Sequence, residues 1–387
     1  MSIDLRKNKA ISEGGAKMNI FEDTGLYIHI PFCIAKCRYC DFYSLPKSEE
    51  LFAPYEKRVI EALSYYRERY ARRYNSLYFG GGTPLYFGEE HISNILESVM
   101  PDMVSGAEIT VEGNPAAYGN IDFEKLKKSG VNRLSFGLQS SNRKELEALG
   151  RLHTEEDAAL TVKAAQKAGF GNISLDLMIG VPYQTEESLR ESVRFCASLG
   201  VTHISAYMLK IEEGTPLASS ELRFLCADDD KASELYLAAV EELQKAGYEQ
   251  YEISNFAKPG FESRHNLKYW LDKEYIGIGP SAHSFIGSRR FYFDRSIEKF
   301  LREPFGELER EESEGGGFEE YAMLRLRLKS GLDTAEASEK FGVDGARLLE
   351  RAESFVSAGL VERKGDVISF TPKGFLLSNA LTAEILL

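Results

Sequence analysis

The chain has 387 residues, 43% hydrophobic and 28% charged, enough for a large domain plus a smaller one and ordinary for a globular protein. No apolar run has the length to span a bilayer, so an integral membrane protein is not expected. A net charge of -13 opposes nonspecific binding to nucleic acid or to an anionic membrane.

Residues 1–24 mix charges without an apolar stretch and are expected to be a tail, not a signal peptide. From Gly25 to about 256, short runs rich in branched and aromatic residues alternate with amphipathic stretches. Strands are predicted at 26–30, 76–79, 108–112, 133–138, 173–179 and 203–209. Helices are predicted at 48–70, 89–104, 123–129, 155–168, 186–199 and 230–246, several of them closing on a glycine. Repeated βα units of this kind imply a parallel sheet with right-handed crossovers. Chemistry in such sheets sits beyond the carboxyl ends of the strands. The polar and Gly-rich segments CIAKCRYC, GGGTP, EGNP, Gln139 and GVP fall there, each after its own strand.

Residues 257–317 are rich in aromatics, Gly and His, and are expected to form a connecting segment of loops and short strands, with 311–317 (EESEGGG) as a linker. Residues 318–387 look like helices followed by a hairpin, a winged-helix-like domain. That shape often binds DNA, but here it carries 9 Lys/Arg against 11 Asp/Glu. The helix at 344–358 has two basic and three acidic residues. A phosphate-binding helix needs the opposite balance, so the domain is expected to pack against the rest or to cover substrate, without nucleic acid.

There are five cysteines, and an odd number does not suit a disulfide framework. Cys33, Cys37 and Cys40 stand at C-x3-C-x2-C spacing just past the first strand. Thiolates are soft ligands for Fe–S clusters or zinc. Three thiolates on a [4Fe–4S] cluster leave one iron open. A closed zinc site needs a fourth ligand, and His29 is the nearest in sequence. Cys196 and Cys226 lack ligand spacing and look like small core residues. This cysteine usage points to a reducing, cytoplasmic setting.

The string LYIHIPFCIAKCRYCDFYS, followed in order by GGGTP, EGNP, SFGLQS, LGRLH and LDLMIGVP, resembles the radical S-adenosylmethionine (SAM) superfamily. Within it, the chain is similar to the subfamily of oxygen-independent coproporphyrinogen III dehydrogenase and the HemW-like haem chaperones. The resemblance covers nearly all of the chain after residue 24. It implies an α/β fold, a partial (β/α)6-type parallel barrel with a smaller C-terminal α+β domain. It also implies that the open iron chelates SAM and that one electron from the cluster cleaves the sulfonium to a 5'-deoxyadenosyl radical. Carried over position by position, Tyr27 and Tyr39 flank the cluster, and Gly81, Gly82 and Thr83 let backbone approach the methionine end. Glu112, Gln139, Arg151 and Asp176 match polar positions for SAM, and Met208 a position touching the adenine. Taken singly, Glu112 and Asp176 could equally be helix caps or turn residues.

The dehydrogenase carries a fourth cysteine, C-x3-C-x2-C-x-C, where this chain has Phe42. Phe offers no ligand, proton or redox chemistry, and HemW-like proteins share a CDF string at this place. HNLKYW, from His265 to Trp270, matches their haem-associated H-N-x-x-Y-W string. His265 is therefore a candidate axial ligand, and Tyr269 and Trp270 candidates to pack on a porphyrin. The bland alternative is a hydrogen-bonded loop histidine and a core tryptophan. His283, in GIGPSAH, is expected near the adenosine pocket as a second haem-ligand candidate. The resemblance implies a chaperone that holds haem, the cluster and SAM, draws on an electron donor, and passes haem to a haemoprotein, membrane-bound acceptors included. No catalytic residue is assigned. The alternatives are oxidative decarboxylation of coproporphyrinogen III and radical chemistry on another substrate.

Overall fold

The computed structural model describes residues 24–115 and 121–387. The expected tail lies outside the described residues apart from Thr24. The six expected strands are present as β1 (Thr24–Ile30), β2 (Tyr74–Gly81), β3 (Met103–Gly113), β4 (Arg133–Gln139), β5 (Ile173–Ile179) and β6 (His203–Met208). They pair in sequence order and in parallel. The crossovers run through α1 (Phe52–Tyr70), α2 (Glu89–Val99), α3 (Phe123–Lys128), α4 (Glu155–Lys167) and α5 (Glu186–Ser198), and α6 (Asp229–Lys245) follows β6. Helix starts follow local chemistry. Thr154 and Thr185 close capping boxes with Asp157 and Ser188, and Asp122 and Asp228 accept from backbone N–H groups three residues on. α2 is shorter than expected. Pro101 cannot donate to a helical hydrogen bond, so the chain tightens into a 3-10 turn at Met100–Asp102 and enters β3 at Met103, not near 108.

The segment after 257 extends the same sheet. β7 (Glu249–Gln250) and β8 (Asn255–Ala257) add antiparallel strands beyond β6. HNLKYW forms most of a helix, α7 (Arg264–Trp270), where a loop was expected; Ser263 accepts from the Asn266 N–H and starts it. β9 (Tyr275–Ile278) then pairs in parallel with β1, a seventh parallel strand. β10 (His283–Ile286), β11 (Arg289–Phe293) and β12 (Glu309–Glu314) complete a 12-stranded sheet. The expected linker is thus corrected: its acidic residues lie mostly in β12. Opposite charges across the strands hold it, with Arg289 pairing to Glu311 at 3.0 Å and to Glu309 at 3.7 Å.

The C-terminal unit comprises α8 (Phe318–Arg325), α9 (Thr334–Phe341) and α10 (Gly345–Ser357), then the hairpin of β13 (Val361–Lys364) and β14 (Val367–Phe370), and α11 (Ser378–Leu386). It is the expected winged-helix-like shape. Its core is continuous with that of the barrel. It meets the barrel where Glu252 bridges Leu328, and no residue beyond Asn266 lines the cavity described below. It packs and does not cover the cavity.

Parallel strands buried on both faces usually read as unbroken apolar runs. Here one face breaks that rule. Leu26, Leu77, Val111, Leu134, Leu175 and Ile204 pack outward against helices in the core. The other parity places Tyr27, Tyr78, Glu112, Ser135, Asp176 and Ser205 on the concave side. A sheet that turns a polar face inward needs something polar to hold.

Candidate functional site

The concave side opens into a cavity of about 490 Å³ at the carboxyl ends of the strands. Cys33, Cys37 and Cys40 all line it. Their loop is anchored at several points: the Gly82 N–H donates to the Ile30 carbonyl and the Thr83 N–H to the Phe32 carbonyl, each at 2.8 Å, and the Arg38 N–H reaches the Leu149 carbonyl at 3.1 Å. Thr83 Oγ1 lies 3.5 Å from Cys33 Sγ, and an Arg151 guanidinium nitrogen lies 3.3 Å from Cys37 Sγ. Burial pushes the Cys33 thiol up and that of Cys40 up to about 11. Metal must therefore displace protons from these two thiols, and loading is favoured as pH rises.

Tyr39, Gly81, Gly82, Thr83, Glu112, Gln139, Arg151 and Asp176, expected from widely separated segments, line the same cavity as the cysteines. Arg151 also donates to Asn114 Oδ1 at 2.7 Å and to the Gly137 carbonyl, which ties the third and fourth strand ends together. Glu112 accepts from the Tyr78 hydroxyl at 2.7 Å and the Gly81 N–H at 3.2 Å. Burial nevertheless raises it to about 7, and burial raises Asp176 as well. Gln139 ends its strand at φ 70, where the register between β4 and β5 breaks. The Gly-rich turn is tight for a reason visible in its neighbours. A Cβ on Gly82 would stand 2.8 Å from the Phe32 carbonyl oxygen and 2.9 Å from that of Ile30.

Four expected residues sit elsewhere. Tyr27 is inside the barrel but not on the cavity wall; its hydroxyl donates to His29 Nδ1 at 3.1 Å. Met208 is 43% exposed and does not line the cavity. Side chains alternate along a strand, so Ser205 and Tyr207 point inward and Met208 does not. His283 is exposed at the start of β10, stacked on Tyr292 and 3.2 Å from Glu312, and is not on the cavity wall. The loop after β9 carries it to the outer face. His265 is only 1% exposed, with Ser76 Oγ 2.9 Å from Nδ1 and the Tyr269 hydroxyl 3.0 Å from Nε2. Burial lowers it to about 3, so it is neutral. Its helix plugs the end of the barrel opposite the cysteines, and the structure does not bring it to the cavity. Trp270 is half-buried beneath Arg327.

His29 is engaged as well. Its Nε2 donates to the Tyr43 carbonyl at 2.9 Å, which leaves Nδ1 to accept from Tyr27. Among the described residues no three His, Cys, Asp or Glu side chains converge on a single-ion site.

Sequence reasoning missed Tyr78, Arg133, Ser135, Ser205 and Asn266 on the cavity wall. Strand parity would have found four of them: counting back by twos from Gln139 and Tyr207 gives Arg133, Ser135 and Ser205, and Tyr78 stands across from Tyr27. Asn266 lay inside HNLKYW, beside the histidine that drew attention.

A parallel α/β barrel whose first strand delivers a three-thiol loop to a polar cavity at the strand ends is the architecture of a radical SAM protein. A profile of the radical SAM superfamily matches residues 27–196, and one of the HemN C-terminal domain matches residues 318–377. The chain is 33% identical to the Mycobacterium tuberculosis H37Rv heme chaperone HemW over 94% of each chain. It is 34% identical to that of Bacillus subtilis 168 over 93% of this chain and 98% of the relative. The chain belongs to the HemW family. Escherichia coli coproporphyrinogen III oxidase, HemN, shares its fold, with a TM-score of 0.82 and 20% identity over 95% of this chain and 91% of that one. Radical SAM membership implies a [4Fe–4S] cluster and SAM.

Proposed function

We propose that this chain is a haem chaperone: it binds haem together with a [4Fe–4S] cluster and SAM, and passes haem to an acceptor protein. The observation that carries the reading is Phe42. It lies on the cavity wall beside the three thiols, 68% exposed, where the dehydrogenase pattern has its fourth cysteine. The relatives from Mycobacterium tuberculosis, Bacillus subtilis and Escherichia coli, 32–34% identical to this chain, are called heme chaperones.

Cys33, Cys37 and Cys40 hold the cluster, with Arg151 donating toward Cys37. Tyr39, Gly81, Gly82, Thr83, Glu112, Gln139 and Asp176 hold SAM in the cavity. Bound there, the cluster supplies one-electron chemistry toward SAM, fed by an electron donor. The residues around it set the polarity and exclude bulk water.

Haem is assigned to the same end of the molecule. Phe42, Leu152, Met208, Ile211, Phe224 and Leu225 are large apolar side chains exposed on the segments that follow strand ends. A grouping of exposed apolar side chains marks a binding surface. His283 begins β10 at this end of the sheet, and its Nε2 has no hydrogen-bond partner among the described residues. Of the two candidate haem ligands it is the one open to iron, since both nitrogens of His265 are occupied. No helix of the described residues is long and apolar enough to cross a membrane. The cytoplasm, where five free cysteines stay reduced, suits the chain.

The test uses anaerobically reconstituted protein. Haem is titrated by absorbance, and coproporphyrinogen turnover is assayed on the same sample. Saturable haem binding weakened by Phe42→Asp, with no turnover, is the expected result. Vinyl product at a catalytic rate would overturn the chaperone reading.

A further inference from the structure

The floor of the cavity holds a guanidinium with unused hydrogen-bond donors. Arg133 opens β4 and points into the barrel; it is 1% exposed and lines the cavity wall. Its Nε and Nη1 have no hydrogen-bond partner among the described residues. The acids around it are occupied. Glu108 accepts from the backbone N–H groups of Arg264 and His265 at 3.2 and 3.0 Å. Asp176 accepts from Ser135 at 3.3 Å, and Glu112 from Tyr78 and Gly81. The other cavity guanidinium, Arg151, is committed to Asn114, the Gly137 carbonyl and Cys37. Burial works against the Arg133 charge, and Glu108 and Asp176 offset it through their field, yet Nε and Nη1 are left without a hydrogen bond among the described residues. A chain that keeps such a guanidinium at the bottom of a ligand cavity has a use for it there.

We propose that Arg133 is the anchor for a carboxylate that enters the cavity from the mouth. The guanidinium fork matches a carboxylate in a bidentate pair, which an ammonium does not. Asn266, on the same cavity wall, supplies an amide to that group, while the Ser135 hydroxyl stays with Asp176. This also gives HNLKYW a part in the site. α7 holds Glu108 with its backbone N–H groups, so that carboxylate acts on Arg133 through its charge and not through a hydrogen bond, and it brings Asn266 to the cavity wall. The thiols stand at the opposite end, where the methionine carboxylate of SAM belongs. The floor is therefore assigned to a haem propionate, and this choice of ligand rests on the haem reading above. The anchor itself rests only on the cavity.

The experiment uses the full chain with its cluster reconstituted, as parent and as Arg133→Met and Arg133→Lys. Affinities are measured for haem against its dimethyl ester, and for SAM against decarboxylated SAM. The thermal midpoint of each variant is recorded alongside. The expected result is that Arg133→Met weakens haem about tenfold or more while leaving the ester and SAM unchanged. Arg133→Lys recovers only part of the loss, and the unchanged affinity of Arg133→Met for the ester and for SAM shows that its fold survives. A loss for SAM but not for decarboxylated SAM supports the anchor and moves its carboxylate to SAM. If neither acid loses affinity in either variant, Arg133 is a structural residue and the proposal falls. Should the parent bind no haem, the chaperone reading fails by itself, and the SAM pair still decides the role of Arg133.

Discussion

Both ring nitrogens of His265 are engaged inside the barrel, and its ring fills the space above Gly25, whose added Cβ would meet it at 3.2 Å. Truncation to Ala would unpair Ser76 and Tyr269 and leave a void, together about 2–4 kcal/mol of stability. The histidine also makes stability pH-dependent. Folded, it titrates at about 3, against an ordinary 6.5. As pH falls below 6.5 the unfolded imidazole takes up a proton that the folded one refuses. Its contribution is complete above 6.5 and is lost progressively down to 3. His265→Ala should therefore unfold at lower urea than the parent, with a shallower fall in midpoint between pH 6.5 and 4. Its haem spectrum should keep the parent's axial-ligand signature. A haem spectrum that loses its histidine signature in this variant, with stability intact, would restore His265 as the ligand.

The turn at 80–84 illustrates how an element carries function through backbone. Gly82 is pressed between the Ile30 and Phe32 backbone and hydrogen-bonds to Ile30, so it sets where the strand releases the cysteine loop. Gly82→Ala pushes on backbone, which cannot swing aside as a side chain would. The expected effect is about tenfold weaker iron retention under chelator challenge, as for a lost supporting contact at a metal site. Gly171→Ala, with nothing within 4 Å of the new Cβ, should match the parent. Equal iron retention in both variants would refute a positioning role for the turn. Elements of this kind were legible in the sequence because they follow local rules. Apolar runs of strand length, Thr and Asp caps, and Gly-rich turns at strand ends placed the barrel, the thiol loop and most of the polar wall. What escaped depends on tertiary neighbours. The acidic run 309–314 is a strand because Arg289 lies across from it, and HNLKYW is helical under a cap at Ser263. Met208 shows a different failure, since the parity of Ser205 and Tyr207 already ruled it off the wall.

At the scale of the molecule, the barrel and the C-terminal unit are joined by backbone as well as by side chains. The Ile253 N–H donates to the Arg327 carbonyl at 3.1 Å, and the Lys329 N–H to the Tyr251 carbonyl at 3.0 Å. Tyr321, Leu326, Leu348 and Phe370 belong to the same buried core as Leu26 and Leu175. Trp270, the chain's single tryptophan, stands at this junction with the Arg327 guanidinium 5.8 Å from its ring centre. Its fluorescence reports on the junction, while far-UV circular dichroism reports on all helices and strands. Two units with separate cores would unfold separately, and the junction would open first. One continuous core predicts that the two signals change together during urea unfolding, with a common midpoint. Arg327→Ala should then move both midpoints down by the same small amount, because loosening any part of a shared core loosens all of it. Trp270 fluorescence changing at distinctly lower urea than the dichroism would show that the C-terminal unit detaches before the barrel unfolds.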